Sequence, residues 1–156
     1  MANKKIKNSP DCTVEAPADW KNIFLTISVL LTGFTEFELQ TTGMLDTYYE
    51  TVSANSDPKS VDSFASEVSK ILRDFGPFEV AMNEQIEARL IKQAPFDDLA
   101  RQIMLLWYTG IWTTAGVPAM VNTSAYFQGL IWQAANTHPA GALQPGYGSW
   151  AELPLT

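Results

Sequence analysis

The chain of 156 residues is short of the residues on which most site chemistry depends. It has one cysteine, Cys12, and one histidine, His138. A lone cysteine forms no internal disulfide and no cysteine-rich metal site, though its thiol could pair with another chain. Basic residues are few: ten Lys and Arg stand against seventeen Asp and Glu, a net charge of -7. Such a surface repels a phosphate backbone, which argues against nucleic-acid binding. Glycine and proline, nine of each, are near ordinary usage, so collagen-like and low-complexity classes are excluded. Leu, Ile, Val and Phe together number 39. That is too many for a disordered chain and enough for one core in a single domain.

Long hydrophobic runs are also missing. The longest, Ile23 to Phe34, has 12 residues, where a membrane-spanning helix needs about 20. It reads as a buried helix. The competing reading is the apolar part of an export signal, since Lys4, Lys5, Lys7 and Lys21 precede it, but no small-residue cleavage site follows. No Arg-Arg pair occurs, so a twin-arginine signal is not expected in this chain.

What is present is helical periodicity. Residues 1–18 are polar, with Pro10 and Pro17, and read as a flexible arm. Trp20, Ile23, Phe24, Ile27, Leu30, Leu31 and Phe34 follow the 3-and-4 spacing of one helix face. Thr35-Glu36-Phe37-Glu38 restarts a helix running to about Ala54, with Gly43 as a weak point. Asp57-Pro58 caps a third helix, which Gly76-Pro77 ends. A fourth covers 78–94. A fifth starts at Asp97-Asp98, carries Leu99, Ile103, Leu106 and Trp107, and fades near 113–116. Asn122 or Thr123 caps a sixth that reaches about Ala135. The predicted fold is therefore all-α: one domain of five to six helices over 19–136, with an irregular extended C-terminal strap over 137–156.

Charge is distributed unevenly. Every Lys and Arg lies at or before Arg101, and residues 102–156 hold a single formal charge, Glu152. The same stretch holds eight of the eighteen aromatics. A protein surface is ordinarily about 25–35% charged. A charge-poor stretch rich in Trp and Tyr has the composition of a protein interface. The competing reading is a hairpin sunk into the core, followed by a neutral tail. Trp107, at i+4 from Ile103, belongs to the core side of its helix. Tyr108 and Trp112, four apart on a neighbouring face, are interface candidates, as are Tyr126 and Trp132. Tyr147 and Trp150 join them from the strap, where neighbours are few.

Catalytic patterns are sparse. His138, in a Thr-His-Pro-Ala turn, has no nucleophile or acid at a recognisable spacing. Asp97-Asp98 reads as helix N-terminal charge, and Glu84 and Glu87 as a solvated face without the histidine that a carboxylate-bridged metal pair requires. No phosphate-binding glycine loop occurs; Gly146 and Gly148 belong to a turn. No catalytic, metal or cofactor-binding residue is expected in this chain.

Three stretches resemble a known family. They are Leu30-Leu31-Thr32-Gly33-Phe34, Leu106-Trp107-Tyr108-Thr109-Gly110, and Pro145-Gly146-Tyr147-Gly148-Ser149-Trp150-Ala151-Glu152-Leu153-Pro154, the last preceded by Ala125-Tyr126-Phe127-Gln128-Gly129-Leu130-Ile131-Trp132. In order and spacing they are similar to the small subunit of membrane-bound, flavin-dependent sugar and polyol dehydrogenases, the sorbitol dehydrogenase small-subunit family. The resemblance implies a helical, cofactor-free subunit. Its partner would be a large dehydrogenase subunit that carries FAD and the active site, often with a multihaem cytochrome as a third member. It further implies the periplasmic side of the inner membrane, with membrane association only through the complex. The family's twin-arginine signal has no counterpart in Met1-Ala2-Asn3-Lys4-Lys5, which leaves the cytoplasm as the alternative. A stand-alone helical adaptor, immunity or regulatory protein that docks its target through the same aromatic, uncharged third is the competing class.

Overall fold

The computed structural model describes residues 20–139. Helix α1, Trp20–Thr32, lies against the core along Trp20, Phe24, Ile27 and Leu31, the stripe that its spacing predicts. The apolar run that begins at Ile23 is thus a buried helix of this fold. No helix among the described residues is long and apolar enough to cross a membrane.

Helix α2, Glu36–Thr41, opens with a capping box. The Thr35 hydroxyl accepts from the Glu38 N–H, and the Glu38 carboxylate accepts from the Thr35 N–H at 2.8 Å. Helix α3, Leu45–Asn55, follows after a break at Gly43. Asp57 caps α4, Pro58–Phe75, by accepting from Ser60 N–H at 3.0 Å, and Pro58 occupies the first turn. Helix α5, Glu79–Ile86, continues into a π-helical turn over Glu87–Ile91. Helix α6, Asp97–Thr109, begins with Asp97 and Asp98 in its first turn, as expected. It crosses α1, and the core gathers around the two.

The end of α6 departs from the expected course. Gly110 takes a left-handed conformation at φ +72°, and its N–H closes the helix on the Leu106 carbonyl at 2.8 Å. A Cβ at 110 would stand 2.6 Å from the Ala125 backbone, so the position excludes a side chain twice over. The chain then runs extended as β1, Ile111–Thr114, and pairs antiparallel with β2, Val117–Met120. β-Branched Ile111, Thr113 and Thr114 favour this over helix. Ala115 and Gly116, both at positive φ (51° and 80°), supply the two-residue turn that joins such strands.

Helices α7, Thr123–Phe127, and α8, Leu130–Ala134, complete the described chain. Asn122 caps α7 through Ala125 N–H at 2.8 Å, as predicted, but the expected single helix is interrupted at Gln128-Gly129. The architecture is all-α with one small hairpin. Among the described residues, eight α-helical segments correspond to the six expected, with breaks at Gly43 and at Gln128-Gly129. The predicted arm and most of the predicted strap lie outside the described residues.

One buried cluster serves all these elements except β2, whose four residues are exposed. Trp107, Tyr48, Phe24 and Phe64 are its largest fully buried side chains. Trp107 donates its indole N–H to the Ser28 hydroxyl at 2.8 Å, and Ser28 donates in turn to the Phe24 carbonyl at 2.7 Å. Tyr108 donates its hydroxyl to the Thr32 carbonyl at 3.0 Å, covering an otherwise open group at the end of α1.

Candidate partner-docking surface

The uncharged stretch folds into elements that pack on one another. Residues 102–139 contain no Asp, Glu, Lys or Arg. They include the last two turns of α6, the hairpin, α7 and α8. Of these, α7 packs on β2 and on α6, and α8 packs on α6. Val117, Met120, Phe127 and Ile131 are exposed here, and Leu105 joins them from α6. This stretch therefore carries five of the eight large hydrophobic side chains that the described residues leave exposed.

The aromatic candidates divide by depth. Tyr126 is half-buried on α7, with its ring 5.5 Å from Phe127 and 5.3 Å from Trp132, both edge-on. Trp132 is half-buried on α8 and donates its indole N–H to the Tyr126 carbonyl at 2.7 Å. The two form one aromatic cluster at the surface. Tyr108 is half-buried against Phe34, and its hydroxyl is spent on Thr32. Trp112 is a correction. The helix ends before it, so it does not share a face with Tyr108. It points from β1 into the core at 7% exposure and is withdrawn from the docking face. Tyr147 and Trp150 lie outside the described residues.

The hairpin presents a face rather than an edge. The Gln102 side chain donates to the Thr113 carbonyl at 3.3 Å and accepts from the Thr113 N–H at 3.2 Å, occupying both groups that β1 turns away from β2. On β2, Pro118 stands opposite Thr113 and has no N–H to offer. Each strand is blocked against a further strand at this register. A hollow of about 540 Å³ lies beside it, lined by Asp98, Arg101, Gln102, Leu105, Thr113 and Gly116.

On the other flank, α8 meets α2 across a cleft of about 180 Å³. Glu38, Thr41 and Thr42 form one wall, and Phe127, Trp132 and Gln133 stand on the other. Among the described residues, Glu38 is the only charged one lining this cleft. Its hydrogen bonds from the Thr35 hydroxyl and the Thr35 backbone hold its carboxyl below the usual range, and Gln133 adds a third at 3.3 Å. Phe37, next to it, is 75% exposed.

Sequence reasoning missed Val117, Met120 and Phe37 as surface apolar residues. The first two had a signal in Gly116, set between the β-branched Thr113-Thr114 and Val117. Among the described residues no three His, Cys, Asp or Glu side chains are grouped as a metal ion would require. No protein-family model, curated protein or solved structure matches the chain.

Proposed function

We propose that this chain is the non-catalytic small subunit of a flavin-dependent sugar or polyol dehydrogenase, and that it binds and stabilises a large subunit carrying FAD and the active site. The observation that carries the reading is the uncharged stretch through the end of α6, the hairpin, α7 and α8. It exposes Val117, Met120, Phe127 and Ile131 and carries the Tyr126–Trp132 cluster, with Phe127 against Tyr126. An apolar, aromatic-centred stretch with no charged residue of its own is the composition of the centre of a protein interface. The motif resemblance names the partner: two of its segments, 106–110 and 125–132, lie within this stretch. FAD belongs to the partner in this reading. A multihaem cytochrome would be a third member, and membrane association on the periplasmic side would come through the complex.

Co-expression tests it. The chain is produced alone and together with the large flavoprotein subunit. The expected result is a colourless, activity-free chain that self-associates when alone, since large exposed apolar patches favour association. The paired preparation is expected to be a yellow, sugar-oxidising complex of defined stoichiometry. Flavin bound to the isolated chain, or a chain equally soluble and monomeric with and without the flavoprotein, refutes the reading. Tight binding to a toxin or regulator instead would support the adaptor class.

A further inference from the structure

We infer that the cleft between α2 and α7–α8 receives a lysine or arginine of the flavin-carrying partner, set among apolar residues of that partner. The inference rests on the functional reading above and names the chemistry with which the partner meets this face.

Phe37, Phe127 and Ile131 are exposed on the elements that bound the cleft. Covering them would be favourable, and a partner that also closes the cleft beside Phe127 removes Glu38 from water. Glu38 remains ionised at neutral pH, because its hydrogen bonds favour the charged form. Among the described residues no Lys or Arg is paired with it. Residues 22–58, which hold α2 and α3, contain no Lys or Arg, and residues 102–139 contain no charge at all. A neutral partner would bury the carboxylate unpaired, and an acidic one would repel it; both are costly. A cation is the complement that remains.

The carboxylate is also held in place beforehand. Oε2 accepts from the Thr35 N–H at 2.8 Å and from the Thr35 hydroxyl at 2.7 Å. Those two bonds belong to the capping box and need no partner to explain them. The third does not serve the cap: Gln133, 95 residues further on, donates to Oε1 at 3.3 Å and turns that oxygen toward the cleft. A carboxylate accepts about four hydrogen bonds, so one position remains for an incoming donor. A lysine or arginine also suits the apolar surround. Its methylene stem can lie along Phe127 or Phe37 while its head reaches Glu38.

The test uses the purified chain and the purified flavin-carrying subunit, with affinity measured at low and high salt. Glu38→Gln is the informative variant: the glutamine oxygen still serves the capping box, the Gln133 amide can turn its oxygen to the new NH2 group, and the charge is lost. It should weaken binding about tenfold at low salt and flatten the salt dependence. Phe37→Ser should weaken binding by a similar factor, and Glu84→Gln on α5 should leave it unchanged. If the wild-type chain binds and Glu38→Gln matches it in affinity and salt dependence, the inference is wrong while the functional reading stands. If Glu38→Gln binds weakly only because the free chain has lost helix, and Phe37→Ser binds as wild type, the inference is also wrong. If the wild-type chain does not bind the flavoprotein, both fall together.

Discussion

Trp107 and Ser28 are joined by an indole N–H to hydroxyl hydrogen bond of 2.8 Å within the core, between helices 79 residues apart in sequence. Both residues are fully buried, so the bond locks α6 to α1 where water cannot substitute for either partner. Ser28→Ala removes the acceptor and leaves the indole N–H unsatisfied. The expected cost is about 2 kcal/mol, a fall in Tm of roughly 6 °C for a chain of this size. A thermal melt within one degree of wild type would mean that the indole finds another acceptor.

Tyr48 is the counterpart with an unmet group. Its ring stands edge-on to Trp107 at 4.8 Å and 87°, fully buried, and among the described residues its hydroxyl has no hydrogen-bond partner. Tyr48→Phe keeps the ring contact and removes the unsatisfied oxygen. It should be neutral or stabilise by about 1 kcal/mol. Burial also pushes the phenol's pKa well above its ordinary value of 10.0, because the charged form is disfavoured in the core. The unfolded chain therefore loses this proton first as pH rises, and Tyr48 contributes to a loss of stability that begins above about pH 10. The phenylalanine variant should show a shallower alkaline fall in denaturant midpoint. Equal alkaline slopes would mean that the ring ionises as readily folded as unfolded.

Much of the fold could be read in the sequence because helix starts and apolar stripes are local signals. Asp57-Pro58, Asp97-Asp98 and Asn122 each mark the start of a helix by satisfying open N–H groups or facing the helix dipole. The stripe from Trp20 to Leu31 names its own buried side. The hairpin was masked because Trp107 to Ile111 keeps helical spacing across Gly110, and only that glycine's φ decides which way the chain turns. The fate of Trp112 followed from the same torsion: a helix would have left it beside Tyr108, whereas a strand turns it inward. Within the candidate surface, the missing charge was legible by counting. The pairing of Glu38 with Gln133 was not, since nothing local links residues 95 positions apart.

The helix stop at Gly110 and the hairpin turn at Ala115-Gly116 give paired expectations of opposite sign. Gly110→Ala meets both a left-handed torsion and the Ala125 backbone at 2.6 Å, so it should destabilise by about 3 kcal/mol or more. Ala115→Gly acts the other way. Ala115 holds φ at +51° beside Gly116 at +80°, the arrangement that glycine and asparagine favour in a two-residue hairpin turn. Relief of that torsion outweighs the added freedom of the unfolded chain, and a gain of about 0.5–1 kcal/mol is expected. Denaturant melts of the two variants decide the matter. Equal midpoints would mean that the turn is not the stop that ends the helix.

Gln102 provides the last expectation, which concerns assembly more than stability. Its side-chain amide occupies the N–H and C=O of Thr113 in the way a neighbouring strand would, and Pro118 denies the other edge a donor. An unguarded strand edge invites pairing with another chain. Gln102→Leu preserves bulk but frees both Thr113 groups, which are half-buried and lose their protein partner. The variant should be less stable by about 1 kcal/mol. It should also self-associate at lower concentration than wild type, with extra extended structure in the associated form. Sedimentation velocity across a concentration series, read beside the amide infrared band, separates the two effects. A variant that loses stability yet sediments as wild type would show that Gln102 only anchors β1 to α6. In that case the open edge is harmless, and association of the free chain must run through the apolar face around Phe127 and Ile131.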